Sequence, residues 1–310
     1  MSRAFVFPGQ GAQTIGMGRD LADAYPAARA VFEEVDDALG EKLSALIWEG
    51  EAEELTLTRN AQPALMATSL AAMRALEAEG VAVADAAFVA GHSLGEYSAL
   101  AAAGALNVAD CARLLRIRGR AMQEATPVGT GAMAAILGLD LASVQEVAAE
   151  AAEGEVCEAA NDNDPAQVVV SGHRAAVERA VEIAKGRGAK RALLLPVSAP
   201  FHCALMAPAA EAMRDALADV AISDPAVPLV PNVRAEAVSD AATIRDLLVA
   251  QVTAAVRWRG SVAWMAGQGV TEVWEIGAGK ALSGMVKRID RSVATRAVGS
   301  PADVIAAAGA

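Results

Sequence analysis

Cysteine and histidine are both scarce in this chain of 310 residues, with three of each: Cys111, Cys157 and Cys203, and His92, His173 and His202. The thiols are widely and irregularly spaced, which excludes a disulfide framework and a four-thiolate metal site and leaves them as core or pocket residues. So few imidazoles make any histidine-dependent chemistry short to enumerate. Aromatic residues supply only 4% of the chain while hydrophobic residues make up 54%. The apolar content therefore rests on alanine, valine and leucine, the composition of a helix-rich folded protein and not of a disordered one. No uninterrupted apolar run reaches the roughly 18 residues of a membrane span. Pro8 and Gly9 also break the N-terminal segment before it attains the length of a secretory signal. Positive charge is in deficit, 26 Lys and Arg against 38 Asp and Glu for a net charge of -12. That excludes a broad nucleic-acid-binding surface, which must neutralise phosphates. The expectation is a cytoplasmic protein, without membrane or nucleic-acid partners, long enough for one large domain carrying a smaller one.

Along the chain, Arg3-Ala4-Phe5-Val6-Phe7 reads as a buried strand running into the flexible turn Pro8-Gly9-Gln10-Gly11. Ala61-Gln62-Pro63 introduces an alanine-rich helix through Glu79, and Ala86–Ala90 reads as a second buried strand. Gly91-His92-Ser93-Leu94-Gly95 then turns the chain into a helix over Glu96–Ala103, and another helix starts at Asn107-Val108-Ala109-Asp110. From Ala132 the pattern is strand, helix, strand, strand, helix, strand, ending at Arg191–Val197, which is the ferredoxin-like order. After it come a helix over Met206–Ala218, a strand over Pro228–Val233 and a final buried strand over Glu272–Ile276. The expected fold is α/β: a serine-hydrolase-like large domain with a parallel sheet, formed discontinuously by residues 1–130 and 198–310. A ferredoxin-like α+β small domain, residues 131–197, is inserted in it. Thr271–Lys280 resembles a strand and glycine-rich turn but lacks the glycine spacing and hydroxyl residue of a phosphate-binding loop.

The pentapeptide Gly91-His92-Ser93-Leu94-Gly95 satisfies G-x-S-x-G, in which glycines permit a sharp strand-to-helix turn that presents the serine. Ser93 is thus the candidate nucleophile, and it needs a base. His92 is adjacent to it and points elsewhere, to shape the turn or contact substrate. His173 sits at a strand-helix junction, where capping or surface hydrogen bonding is the simpler role. His202 lies where the insertion returns to the large domain, on a loop restricted by Pro200, and is the best base. Its orienting partner is open between Asp162, Asp164, an amide and a backbone carbonyl, since any acceptor for the second ring nitrogen suffices. The Leu94 backbone N–H follows the nucleophile as an oxyanion donor must, and Gln10 lies in a loop able to supply the second. The same elements would serve a serine esterase or thioesterase, whereas a noncatalytic thioester-binding module would bind without becoming acylated.

Together with Phe5–Gly11, Gln62–Leu65, Gly91–Glu96, Arg116–Gly119, Pro200–His202 and Glu275–Lys280, these residues make the chain resemble the malonyl-CoA:acyl carrier protein transacylase (acyl transferase) family over essentially its full length. The resemblance implies malonyl transfer from coenzyme A, through a malonyl-serine, to the phosphopantetheine thiol of acyl carrier protein in fatty-acid or polyketide synthesis. It assigns His202 as general acid/base, Gln10 and Leu94 as oxyanion donors, and Arg118 as the contact to the malonyl carboxylate. It also makes Gln251 the carbonyl-bearing partner of His202. His92 and Phe201 join the substrate-binding residues, Phe201 crowding an α-methyl substituent, although methylmalonyl transfer stays open. No metal or permanently bound cofactor is expected, and the protein is expected to be a monomer. Arg113, Arg116, Arg118 and Arg120 could alternatively form a charged helix face. Lys185, Arg187, Lys190 and Arg191, with Lys287, Arg288 and Arg291, could receive an acidic carrier. Ala278 departs from the family, whose Gly-x-Gly turn often holds proline there.

Overall fold

A computed structural model describes residues 2–197 and 199–309. Met1, Ala310 and Ser198, the residue at which the sequence reading resumes the large domain, lie outside the described residues. Nine strands are named: β1 Ser2–Phe7, β2 Phe88–Gly91, β3 Gly131–Leu137, β4 Cys157–Asp164, β5 Gln167–His173, β6 Arg191–Leu194, β7 Leu229–Val230, β8 Val270–Ile276 and β9 Ala294–Val298. One sheet has the order β7-β2-β1-β8-β9 and is parallel throughout; the other has the order β4-β5-β3-β6 and is antiparallel throughout.

The parallel sheet is buried on both faces, as its apolar strands require. Phe5, Phe7 and Trp274 face one core together with the 21-residue helix Thr58–Ala78, and Ala4, Val6 and Val273 face another with Trp258 and Val262. In register, Phe7 of β1 lies beside Gly91 of β2, so the loop after β1 and the turn after β2 leave the sheet side by side. That is the end of a parallel sheet where ligands bind. The antiparallel sheet has the ferredoxin-like strand order, with helices Leu141–Ala152 and Arg174–Gly186 packed on one face around Ile136, Val147, Val170 and Val177. From its other face Met133, Ala135 and Val169 join the core of the larger unit. We propose 131–197 as the inserted unit on the basis of that separate core.

Several boundaries differ from the sequence reading. The long helix starts at Thr58, three residues before Ala61, and takes Pro63 into its interior. The strand read from Ala86 is confined to Phe88–Gly91, and a short 3-10 turn occupies Val83–Asp85. Asn161–Asp164, whose composition is that of a turn, continues β4, and Pro228–Val233 forms only the two-residue β7. Glu272–Ile276 is not the final strand, because β9 pairs with β8 beyond it. The helix Pro26–Leu39 went unread although Pro26 and Gly40 punctuate it and Val31, Phe32 and Val35 recur on its buried face.

Candidate active site

The turn after β2 is built by close backbone approach. A Cβ at position 91 would lie 1.9 Å from the Gly95 carbonyl carbon, and one at 95 would lie 2.2 Å from the Phe7 carbonyl oxygen. Only hydrogen fits at either place. Because both obstacles are backbone, no rotamer change relieves them, and Gly91→Ala is expected to destabilise the protein by about 3 kcal/mol or more. A urea unfolding midpoint equal to that of the parent would refute this packing argument. Between these glycines Ser93 adopts φ 53°, a left-handed conformation that non-glycine residues hold only when their surroundings impose it. The imposition is visible. The Ser93 N–H donates to Asn232 Oδ1 at 2.8 Å, Asn232 Nδ2 donates to the Gly91 carbonyl at 2.6 Å, and Gln251 Nε2 donates to the Ser93 carbonyl at 3.1 Å.

Ser93 Oγ lies 2.8 Å from His202 Nε2, and His202 Nδ1 lies 2.9 Å from the Gln251 backbone carbonyl. A carbonyl can only accept, so Nδ1 carries the proton and Nε2 is the bare base facing the hydroxyl. The acceptor left open by the sequence is therefore a backbone carbonyl. Neither aspartate serves: Asp162 pairs with Arg259 at 2.9 Å and Asp164 with Arg288 at 2.7 Å. His202 is buried, and burial, with the Arg118 guanidinium nearby, depresses its pKa to about 3. It is thus neutral at physiological pH, as a base must be. His173 occupies the N-cap position of the helix Arg174–Gly186 without a side-chain capping bond; its Nδ1 instead accepts the Val156 N–H at 3.0 Å, tying the end of β5 to the residue that precedes β4. His92 is held by Asn163 Oδ1 2.9 Å from its Nε2 and packs near Trp258. Burial lowers its pKa against the effect of that hydrogen bond.

Arg118 is not part of an exposed charged face. It is 1% exposed, whereas Arg113 pairs on the surface with Asp110 and the partly buried Arg116 pairs with Glu41. Its Nη1 donates to Gln62 Oε1 at 2.8 Å, and its Nη2 donates to Gln251 Oε1 at 2.8 Å and Ser93 Oγ at 3.1 Å. All three acceptors are neutral, and among the described residues Arg118 has no ion pair. A buried cation so placed, its pKa lowered chiefly by burial, favours an anionic ligand beside the serine.

The cleft above these groups has a volume of about 430 Å³ and is lined by Gln10, Leu94, Asn161, Phe201 and Met133 together with Gln62, His92, Ser93, Arg118 and His202. Among the described residues, neither the Gln10 nor the Leu94 backbone N–H has a protein acceptor. Gln62, Asn163, Asn232 and Glu96 received no role from the sequence. Glu96 did leave a signal: it is the one carboxylate of the otherwise apolar or neutral helix Gly95–Ala102, every residue of which is buried. Burial raises its pKa to about 7 despite hydrogen bonds from Asn232 and Gln251 and the charge of Arg118. No cluster of three or more potential metal-ligating side chains occurs among the described residues. Of the basic groups read as carrier surfaces, Arg187 is engaged by Glu146 and Glu150, Lys185 by Glu182 and Arg288 by Asp164.

Residues 4–297 match the family model described as an acyl transferase domain. A malonyl CoA-acyl carrier protein transacylase of Escherichia coli strain K12 is 50% identical over 304 residues, 98% of each chain. An acyl-carrier-protein S-malonyltransferase structure from Bartonella henselae superposes over 100% of both chains with TM-score 0.98 and 54% identity. A malonyl-transacylase solved in complex with its holo type II polyketide acyl-carrier protein is 44% identical, with TM-score 0.97 over 100% of this chain and 99% of that one.

Proposed function

Because the chain belongs to the acyl transferase domain family, we infer that it carries a malonyl group from malonyl-CoA to the phosphopantetheine thiol of an acyl carrier protein, through malonyl-Ser93. The reading of the residues rests on one observation above the others: a buried arginine, without a counter-ion in hydrogen-bond range among the described residues, stands 3.1 Å from the hydroxyl of a serine already paired with a neutral histidine.

In the first half-reaction Ser93 Oγ attacks the thioester carbonyl while His202 Nε2 takes its proton. The Gln10 and Leu94 N–H groups stabilise the oxyanion of the tetrahedral intermediate. Collapse breaks the C–S bond, and His202 returns its proton to the departing coenzyme A sulfur. In the second half the carrier thiol gives its proton to His202 and attacks the ester carbonyl, and Ser93 leaves and recovers the proton. Throughout, the malonyl carboxylate lies only two carbons beyond the ester carbonyl, so an arginine beside Oγ is placed to hold it; an acetyl group offers nothing to that arginine. Gln251 serves twice, orienting His202 through its backbone carbonyl and Arg118 through its side chain. His92 and Phe201 shape the acyl pocket. The reading includes a monomer in the cytoplasm, where the three free, buried cysteines would stay reduced.

The test is sequential. Labelled malonyl-CoA alone is expected to acylate Ser93 stoichiometrically, and addition of holo acyl carrier protein to move the label to the carrier before free malonate accumulates. Ser93→Ala should take up no label. Label retained elsewhere in that variant would refute the nucleophile, and release of malonate in preference to transfer would make the protein a thioesterase.

A further inference from the structure

Glu96 lies one helical turn beyond Ser93, out of contact with the cleft, yet it meets two segments that build the site. Its Oε2 accepts the Asn232 N–H at 2.8 Å and Gln251 Nε2 at 2.9 Å, while its Oε1 is buried without a partner among the described residues. The Gln251 side chain is an amide, whose two ends differ in chemistry but hardly in shape. If Nε2 and Oε1 exchanged places, a donor would face the Arg118 guanidinium and an acceptor would face Glu96. In the observed orientation, Gln251 Oε1 accepts from Arg118 at 2.8 Å and its Nε2 donates to Glu96. Within hydrogen-bond range of Nε2 are the Ser93 carbonyl at 3.1 Å and Asn232 Oδ1 at 3.4 Å, both longer contacts than that to Glu96.

We propose that Glu96 is a positioning residue for acyl-group selection: by accepting from Gln251 Nε2 it fixes the amide with Oε1 toward Arg118, and so holds the guanidinium at the acyl pocket. Glu96 touches no reacting atom and acts entirely through Gln251. The Asn232 N–H pins the arrangement from the other side, because it forces whichever atom replaces Oε2 to be an acceptor. Glutamine at position 96 must therefore turn its carbonyl oxygen to the same place and can preserve the amide orientation without the charge. Methionine fills the volume but offers no comparable acceptor.

The proposal rests on the malonyl-transfer reading, and the two fail separately. Acyl-enzyme formation is measured from malonyl-CoA and from acetyl-CoA for the parent, Glu96→Gln and Glu96→Met, each first shown by thermal unfolding to be folded. A parent that shows no preference for malonyl-CoA overturns the transfer reading whatever the variants do. With a selective parent, Glu96→Met is expected to lower the malonyl-to-acetyl ratio of kcat/KM at least tenfold, and Glu96→Gln to keep it within about threefold of the parent. Should Glu96→Met not fold, Glu96→Asp decides in its place, since the shortened carboxylate is withdrawn from Gln251, and it is expected to lower the ratio as well. Equal losses on both substrates, with the ratio unchanged in Glu96→Met or Glu96→Asp, would reduce Glu96 to a support of the turn and overturn the proposal. So would a ratio that collapses equally in Glu96→Gln.

Discussion

His202→Ala is expected to slow acylation of Ser93 by malonyl-CoA about 10³-fold, the middle of the range by which a positioned general base accelerates proton transfer. The variant should still bind the thioester, because Arg118, Gln10 and Leu94 are untouched, so the loss should appear in kcat with KM little changed. A pre-steady-state measurement of malonyl-Ser93 formation reads this directly, and a variant that acylates within tenfold of the parent would remove His202 from the mechanism. The pH dependence adds a sign. With its pKa depressed to about 3 by burial and by Arg118, the imidazole stays available as base while pH falls from 7 to 5, and kcat/KM should show no His202 limb near 6.5. An inflection near 7 would instead belong to Glu96, whose pKa burial raises to about 7, and should disappear in Glu96→Gln. The same histidine links stability to pH. Its depressed folded-state pKa means that its contribution is complete above the ordinary histidine value of 6.5 and is lost as pH falls from there toward 3.

Arg118→Ala is the second large effect, and it should discriminate between substrates. Removing one partner of a buried charge pair costs about 3 to 5 kcal/mol. Malonyl-CoA should thus lose roughly 10² to 4 × 10³ in kcat/KM, since 1.4 kcal/mol corresponds to a tenfold change. Acetyl-CoA, which brings no carboxylate, should lose far less, through the disturbed Gln62 and Gln251 side chains alone. Measurement of both acyl donors in competition gives the ratio free of any difference in folded fraction. Equal losses for the two donors would show that Arg118 supports the nucleophile and does not read the acyl group. Lysine should restore little of the preference, because an ammonium cannot reproduce the forked contacts that the guanidinium makes with Gln62 and Gln251.

What the sequence made legible was whatever local chemistry or periodicity announces. Gly91 and Gly95 flank Ser93 at a spacing that only a sharp turn needs, and the scarcity of histidine left His202 with few competitors. The order of strands in the insert followed from alternating periodicities. Polar residues whose partners are remote in sequence were not legible in this way. Asn232 and Glu96 are separated by 136 positions and Arg118 and Gln251 by 133, so nothing in the neighbourhood of either member signals the other. Asp162 and Asp164 misled for a related reason. In Asn161-Asp162-Asn163-Asp164-Pro165 the composition is that of a turn, but Arg259 and Arg288 come from distant helices to neutralise the two carboxylates and let the strand continue. The two-residue β7 is too short for alternation to mark, and the parallel neighbour β2 sets its extent.

β4 has a wider consequence for engineering. Asp162 donates its backbone N–H to the Val256 carbonyl at 2.9 Å and the Val256 N–H donates to the Ala160 carbonyl at 2.8 Å, so a rung of main-chain pairing joins the insert to the segment just beyond Gln251. The insert is therefore not a cassette. A chimera that exchanges residues 131–197 with those of a relative, to import another acyl preference, also exchanges half of that rung and the acceptors of Arg259 and Arg288. Productive grafts will have to carry the stretch around residue 256 along with the insert, because the seam runs through main chain that the swap would leave behind.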